Sequence, residues 1–265
     1  MAYNVQVADG GYLGWKLLER TLDSQKQVFS KSAEIQRSRD YFVENISKVE
    51  AAEDLVGNYK LLSVALRAFG LDDDINNKYF IRKVLEADPD DESSLINKLP
   101  DKRYEQLNAA FKLWSAPAPE GTTTTVDSKA ISDMYVTRSF EKNIGERHQE
   151  IEISLNAQRE LKTLAEVDLS QKSKWYQIVG SKPLRKVFEG AFGLSSHFAN
   201  LPIDRQVSEL RSRTERLMGS SDIDQFSDSA KLDHLLKYYL IRNQAAQSAS
   251  MSRYSSALAI LSNRG

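Results

Sequence analysis

Two ungapped versions of one segment occur in this sequence: VGNYKLLSVALRAFGL at residues 56–71 and VGSKPLRKVFEGAFGL at residues 179–194. Eight aligned pairs are identical: Val56 and Val179, Gly57 and Gly180, Leu61 and Leu184, Val64 and Val187, Ala68 and Ala191, Phe69 and Phe192, Gly70 and Gly193, and Leu71 and Leu194. Chance does not produce this agreement over so short a segment. We interpret the segment as an internal duplication and the shared residues as structural positions of a repeat.

Each version of the segment predicts one amphipathic helix with defined ends. Its apolar residues recur at spacings of three and four, so one face of each helix is expected to pack against a core. Asn58 and Ser181 are the predicted N-caps, and Pro183 fits the first turn because no backbone donor is needed there. We expect Gly70 and Gly193 to end the helices in the left-handed conformation, with the next leucine folded back as in a Schellman motif.

Length and composition restrict the class of protein. The chain has 265 residues, enough for one large domain or two ordinary ones. Its 36 basic and 37 acidic residues are mixed, and without a basic block we predict no surface for nucleic acid or anionic membrane. The absence of cysteine excludes disulfides, thiolate metal sites and cysteine nucleophiles, and leaves the redox compartment open.

Neither a membrane span nor a secretory signal is predicted. No window approaches the ~20 apolar residues that a spanning helix needs. The first eleven residues lack a basic region followed by an apolar run, as a cleavable signal peptide requires. We therefore expect a soluble protein without a cleavable signal peptide.

Two stretches predict long amphipathic helices, one before each version of the segment. The first runs from about residue 12 to residue 49, and the second from residue 127 to about residue 167. Their apolar stripes are Leu18, Leu22, Phe29, Phe42, Ile46 and Val49 in the first, and Phe140, Ile144, His148, Ile151 and Leu155 in the second. The stretch SLNAQR at 154–159 echoes SAEIQR at 32–37, so the duplication extends to these helices and the repeat is about 120 residues long.

The segments after the repeated helices add shorter helices to each unit. Asn77, Arg82, Val84 and Glu86 match Asn200, Arg205, Val207 and Glu209 at an unchanged offset. Because Pro202 replaces Tyr79, the second version of this helix should begin later. A helix is predicted after Pro100 and Asp101, another over residues 224–243, and a docked helix in the tail at 244–265.

The predicted fold is all-α and multihelical, with two tandem related repeats that each combine a long amphipathic helix with a cluster of shorter helices. A stretch rich in proline, glycine and threonine at 116–126 reads as a linker between them. The predicted domains are therefore a first helical unit at 1–115, the linker at 116–126 and a second helical unit at 127–265.

No motif for catalysis, cofactor binding or metal binding is found. The histidines His148, His197 and His234 have no metal-ligand spacing, and His148 is interpreted as a polar residue of a helix seam. The acidic run at 72–74 fails the calcium-loop pattern, because Asn77 and Lys83 stand where glycine and glutamate are required. We interpret these acids as caps and first-turn residues, and the pairs Asp72/Asp74, Asp90/Asp91 and Asp222/Asp224 as turn residues.

Several stretches resemble the alphaproteobacterial domain-of-unknown-function family 1217. They are GWKLLERT at 14–21, LLSVALRAFGL at 61–71, NNKYFIRKVLE at 76–86 and NKLPDKRY at 97–104. The resemblance is close over residues 14–115 and extends more weakly to about residue 243. It implies a multihelical protein whose relatives' genes often lie among flagellar genes, and it supplies no catalytic residues. With this resemblance, we expect the protein to be cytoplasmic or exported to the flagellum without a cleavable signal peptide. The second repeat departs from the family pattern at Lys182 and Pro183, and again at 195–197.

Three functions are compatible with the sequence. The resemblance and the long helices favour a non-enzymatic structural or assembly factor of the flagellum that contacts protein partners through helix surfaces. A cytoplasmic adaptor or export chaperone that holds a partner's helix is the first alternative. An enzyme with a site recognisable only from geometry is the second. Trp15, Trp114 and Trp175 are expected to pack at helix junctions, or else to anchor a partner.

Overall fold

The computed structural model describes residues 4–7, 9–113 and 126–262, with side chains except at residue 196 and from residue 250 on. Throughout these ranges the regular structure is helical and contains no strand, which confirms the predicted all-α, multihelical fold. The predicted linker at 116–126 lies outside the described residues except for Val126, and so does Trp114.

The described residues form thirteen α-helices. The first seven are α1 (Gly11–Ser30), α2 (Ala33–Asn45), α3 (Ala52–Gly57), α4 (Tyr59–Phe69), α5 (Lys78–Glu86), α6 (Leu95–Lys98) and α7 (Lys102–Phe111). The other six are α8 (Ser128–Gly145), α9 (Gln149–Glu166), α10 (Gln171–Gly180), α11 (Lys182–Phe192), α12 (Ile203–Met218) and α13 (Ser229–Ser262). Short 3-10 helices occur at Ile46–Lys48, Asp72–Asp74, Ser196–Asn200 and Ile223–Ser227.

Neither of the two predicted long helices is continuous, and this part of the prediction is wrong. The first is divided between α1 and α2, because Ser32 takes an extended conformation at the start of α2. The second is divided between α8 and α9, where His148 takes the non-helical cap position. His148 is therefore a residue of a helix junction. Apolar spacing alone did not reveal either break, since the stripe resumes in register after each junction.

The chain divides into two compact units whose boundaries differ from the predicted ones. Unit 1 contains residues 1–6 and 21–143, and unit 2 contains residues 7–20 and 144–265. Residues 7–20 therefore belong with the second half of the sequence, and residues 128–143 with the first. Helix α1 is shared, because its first ten residues lie in unit 2 and its last ten in unit 1.

Side-chain contacts hold each of these segments in its unit. In unit 2, the Tyr12 hydroxyl donates to Asp233 Oδ2 over 3.0 Å, and Lys16 Nζ lies 3.1 Å from Asp233 Oδ1. In unit 1, Arg39 Nε donates to the Ser132 hydroxyl over 2.8 Å. The rings of Phe29 and Phe140, also in unit 1, meet edge to face with centroids 5.6 Å apart.

Corresponding helices make corresponding contacts within the two units. In unit 1, α4 packs against α2, α3 and α7, and α3 also packs against α5. In unit 2, α11 packs against α9, α10 and α13, and α10 also packs against α12. This parallel agrees with the predicted repeat, whose origin by duplication stays a prediction.

The helices α4 and α11 end as predicted. Gly70 and Gly193 have φ values of 70° and 65°, in the left-handed region where a side chain is disfavoured. The amide of Leu71 donates to the Leu66 carbonyl and that of Leu194 to the Glu189 carbonyl, each over 2.8 Å. A bond from an amide to the carbonyl five residues earlier is the defining bond of a Schellman motif, so both predicted caps are confirmed.

The beginnings of α4 and α11 differ. The Asn58 side chain accepts hydrogen bonds from the amides of Lys60 and Leu61, which confirms it as a capping residue. Ser181 occupies the N-cap position, but its side chain makes no capping bond, so that part of the prediction is wrong. Helix α12 begins at Ile203, directly after Pro202, and thus starts later than α5, as predicted.

The cores of the two units use side chains of different size at equivalent positions. Trp175 and Phe188 are fully buried in unit 2 and meet edge to face with centroids 5.3 Å apart. Their counterparts in unit 1 are the buried Ala52 and Ala65. Interiors are close-packed, so a different set of neighbours must fill the volume in unit 1. The two units therefore share a helix arrangement and differ in core packing.

Helix α13 is one continuous element, whereas the sequence suggested separate helices at 224–243 and in the tail. The predicted apolar residues of its first part are all buried: Leu232, Leu235, Leu236, Tyr239 and Leu240. The residues that follow at 244–249 are exposed. The tail was predicted to dock through side chains beyond residue 249, and these are outside the described side chains.

Candidate functional site

A surface groove in unit 1 runs between α2 and the segment formed by the end of α3 and the start of α4; we call it the α2–α4 groove. It consists of two adjoining clefts of about 560 and 580 Å³ that share Tyr41, Tyr59 and Lys60. The α2 side, continued by the residues that follow α2, is lined by Glu34, Arg37, Ser38, Asp40, Tyr41, Glu44, Asn45, Lys48 and Val49, and the opposite side by Asp54, Gly57, Asn58, Tyr59, Lys60, Leu61, Ser63 and Val64.

Three side chains connect the two walls of the groove. Asn58 Nδ2 donates a hydrogen bond to the Tyr41 hydroxyl over 3.0 Å. The ammonium of Lys60 lies 4.7 Å from the centroid of the Tyr41 ring, close enough for a cation–π interaction. The base of the groove is therefore fixed before any ligand arrives, which lowers the entropic cost of binding.

Tyr59 provides an exposed aromatic side chain beside this fixed base. It is the first residue of α4 and is 62% exposed. Tyrosine is enriched at protein interfaces because it offers a rigid apolar ring with a polar tip. In the second repeat Lys182 and Pro183 stand in place of Tyr59 and Lys60. The exposed ring and the cation–π pair are thus features of unit 1.

Carboxylates predominate on the α2 side of the groove. Glu34, Asp40 and Glu44 are exposed, and they outnumber the two basic lining residues of this side, Arg37 and Lys48. Within the part of the chain that the structure describes, none of these three acids forms an ion pair. This wall therefore presents negative charge to solvent.

A second polar cluster lies in unit 2, at the start of α9. Glu150 is buried and its Oε1 atom accepts a hydrogen bond from the Gly11 amide over 3.3 Å. His148 Nδ1 lies 3.7 Å from the same oxygen. Burial, together with the nearby charge of Glu150, raises the pKa of Tyr239 above its usual value. These contacts tie the start of α1 to α9, and this structural role accounts for the cluster.

Both acids of the first pair singled out in the sequence, Asp72 and Asp74, have structural partners. Asp72 pairs with Arg67, and Asp74 accepts hydrogen bonds from Asn77 and from the Tyr104 hydroxyl. Residues 72–74 form their own 3-10 helix, so the prediction that they cap the next helix is wrong. Asn77 occupies that cap position, and its side chain makes no capping bond.

Asp224 has a different structural partner, the buried Lys174. Lys174 Nζ donates to Asp224 Oδ1 over 2.5 Å and to the Ala165 carbonyl over 3.0 Å. The hydrogen bond from Lys174, with a smaller effect from Gln171, lowers the pKa of Asp224. This arrangement joins α10 to the end of α9 and to the 3-10 helix Ile223–Ser227.

No group of three or more histidine, aspartate or glutamate residues with metal-binding geometry occurs among the described residues. His197 is exposed, and the His234 ring packs against the Tyr238 ring on α13.

No helix in the described ranges is long and apolar enough to cross a membrane. Trp15 and Trp175 are fully buried, so both pack in the interior and neither is available to anchor a partner.

The repeat positions identified from the sequence occupy the interior and the helix ends. Val56, Leu61, Val64, Phe69 and Leu71 are buried in unit 1, and Val179, Leu184, Val187 and Phe192 are buried in unit 2. The α2–α4 groove was missed, because its walls belong to helices that sequence analysis did not place together. One signal was available, since Tyr59 is a large aromatic residue outside the apolar stripe of α4.

Comparisons with known proteins agree with this description. The sequence model of a family described as "Protein of unknown function (DUF1217)" matches residues 68–232. Protein AGR_C_984 from Agrobacterium tumefaciens has a similar crystal structure, with a TM-score of 0.71 over 88% of this chain and 92% of that chain. The two sequences are 23% identical, and the likeness shows a shared fold. No curated protein matches the sequence.

Proposed function

The chain belongs to the DUF1217 family, and from this premise we propose that it is a non-enzymatic structural or assembly factor that binds a partner protein through the α2–α4 groove. One observation carries the proposal: the exposed Tyr59 ring stands beside the preformed contact between Tyr41 and Lys60. An exposed aromatic residue next to a rigid groove is typical of a protein-binding surface.

The resemblance noted in the sequence supports a flagellar setting for this binding. Relatives of the family are expected to be encoded among flagellar genes, so we propose a flagellar component as the partner. The protein then acts in the cytoplasm or at the flagellum.

An adaptor or export chaperone is the second candidate, and the same groove favours it. A groove between two helices can hold one helix of a client protein, as several helix-binding proteins do. The two functions differ in the location of the protein. A structural component stays with the detached filament, hook and basal body, whereas a chaperone stays in the cytoplasmic fraction.

Deletion and complementation test the proposal. We expect deletion of the gene to reduce swimming and to change the number or length of hooks and filaments seen by electron microscopy. Complementation with the Tyr59→Ala variant should restore less swimming than the wild-type gene does. Tyr79→Ala is the matched control, because Tyr79 is 70% exposed and lies on α5 outside the groove.

Two results would contradict the proposal. The flagellar role is wrong if the deletion strain swims normally and carries normal hooks and filaments. The role of the groove is wrong if Tyr59→Ala complements as well as wild type while the deletion is defective. Fractionation of the complemented strain then separates the structural component from the chaperone.

A further inference from the structure

We propose that the occupant of the α2–α4 groove is an amphipathic helix of a partner protein that carries a row of lysine or arginine residues beside a row of small residues. This inference rests on the proposed function and specifies the chemistry of the partner. Three features of the groove carry it: the charge of the α2 wall, an open glycine on the opposite wall, and the length of the groove.

Three carboxylates on the α2 wall outnumber the two basic residues Arg37 and Lys48, and this excess favours a basic partner. Glu34, Asp40 and Glu44 have no ion-pair partner among the described residues, and all three are exposed along one helix. Lys60 on the opposite wall is engaged with the Tyr41 ring. A basic row on the partner would therefore meet unpaired carboxylates, and opposite charges across an interface fix both specificity and orientation.

Gly57 on the opposite wall leaves room for a close approach by the partner backbone. It is the last residue of α3, as the aligned Gly180 is the last residue of α10, and in unit 1 this position faces the groove. Its φ angle is not in the left-handed region. A Cβ atom placed on Gly57 would meet no described atom within 4 Å, so packing inside unit 1 does not require glycine.

A partner helix with small residues fits the open space at Gly57. Helices approach each other most closely where the facing residues are small, because their backbones can then come into contact. An added methyl group at Gly57 would hold the partner away from the groove. Tyr59, two residues further on, would then cover the outer side of the docked helix.

The length of the groove fits a short helix. Lining residues extend along α2 from Glu34 to Asn45, a span of about 17 Å at ~1.5 Å per residue. About three turns of a partner helix fill this span. A basic row of three or four residues, spaced by three or four positions, would face the three carboxylates.

Designed peptides test the proposal on the full chain. The probe is a lactam-stapled helical peptide with an alanine face flanked by four lysines, and its counterpart has glutamate at each lysine position. Fluorescence anisotropy at low and high salt measures the affinity of each peptide. We expect the lysine peptide to bind at least about tenfold more tightly than the glutamate peptide at low salt, with the difference reduced by salt.

Two substitutions locate the binding. Gly57→Ala should lower the affinity for the lysine peptide about tenfold, the effect typical of one obstructed interface residue. It should do so without lowering the melting temperature of the protein. Glu44→Lys should lower the affinity for the lysine peptide and raise the affinity for the glutamate peptide. Glu92→Lys is the matched control, because Glu92 is exposed, forms no described ion pair and lies outside the groove.

Each other outcome overturns the proposal. Equal affinity for the two peptides would show that the groove does not prefer a basic partner. An equal effect of Glu44→Lys and Glu92→Lys would show that the groove is not the binding site. Light scattering tests a second copy as occupant: a dimer that Glu44→Lys dissociates would replace the partner helix. If the peptides are not discriminated but Tyr59→Ala still impairs swimming, the proposed function stands and only the partner chemistry fails. If the protein does discriminate between the peptides but the deletion strain swims normally, the partner chemistry stands and the proposed flagellar function fails.

Discussion

The ammonium of Lys60 lies 4.7 Å from the centroid of the Tyr41 ring and joins the start of α4 to the middle of α2. Both residues are on the surface of unit 1, and Asn58 adds a hydrogen bond to the Tyr41 hydroxyl. The contact connects residues 19 positions apart in the sequence and forms the base of the groove to which we assign the function.

A double-mutant cycle should detect this contact. Lys60→Met, Tyr41→Leu and the double variant are compared with wild type by urea denaturation. We expect a coupling of about 0.5–1 kcal/mol, the usual size for a cation–π pair at an exposed site. The pair formed by Lys83 and Tyr79, where the nitrogen lies 5.9 Å from the ring centroid, serves as a weaker control. Equal coupling in the two pairs would show that the shorter distance has no energetic consequence.

The two N-cap positions should respond differently to the same substitution. Asn58 accepts two backbone hydrogen bonds, so Asn58→Ala should lower the free energy of unfolding by about 1–2 kcal/mol. Ser181 makes no capping bond, and Ser181→Ala should cost less than about 0.5 kcal/mol. Urea denaturation of both variants measures the difference. A loss of similar size in the two variants would mean that Ser181 caps α11 in solution.

Glycine-to-alanine substitutions at positions 190 and 57 should have opposite effects. A Cβ atom on Gly190 would lie 2.6 Å from a ring carbon of Tyr239, so Gly190→Ala should cost about 1–3 kcal/mol through overpacking. Gly57 has open space, and Gly57→Ala should stabilise unit 1 by about 0.4–1 kcal/mol. Thermal denaturation measures both effects. A destabilised Gly57→Ala variant would reveal an internal contact and weaken the argument for a close partner.

The ion pair of Lys174 and Asp224 should make stability depend on acid pH. Its contribution is fully present above the unfolded-state pKa of aspartate near 3.9 and is lost as the pH falls through the lowered folded-state pKa. Asp224→Asn should therefore cost about 1 kcal/mol or less at pH 7, because the carboxylate is 57% exposed. The difference from wild type should therefore be smaller at pH 2 than at pH 7.

Urea denaturation at the two pH values measures this dependence. Asp222→Asn is the control, since no ion pair is described for Asp222. A cost for Asp224→Asn that is the same at pH 7 and pH 2 would contradict the role assigned to the ion pair.

Local sequence signals predicted the repeated helices well. The apolar spacing, the capping Asn58 and the glycines Gly70 and Gly193 act within a dozen residues, so the bounds of α4 and α11 followed from them. The same kind of signal failed at Ser32 and His148. A continuous apolar stripe is compatible with one long helix or with two helices that meet at a junction, and only packing chooses between them.

The sequence by itself determined the all-α class and the ends of α4 and α11, because propensity, capping and apolar spacing act between near neighbours. Only the tertiary structure decided that residues 7–20 belong with unit 2, that residues 128–143 belong with unit 1, and that Tyr41 meets Lys60. These outcomes depend on contacts between residues far apart in the chain. The free energy of such contacts comes from burial and shape complementarity, which no local pattern records.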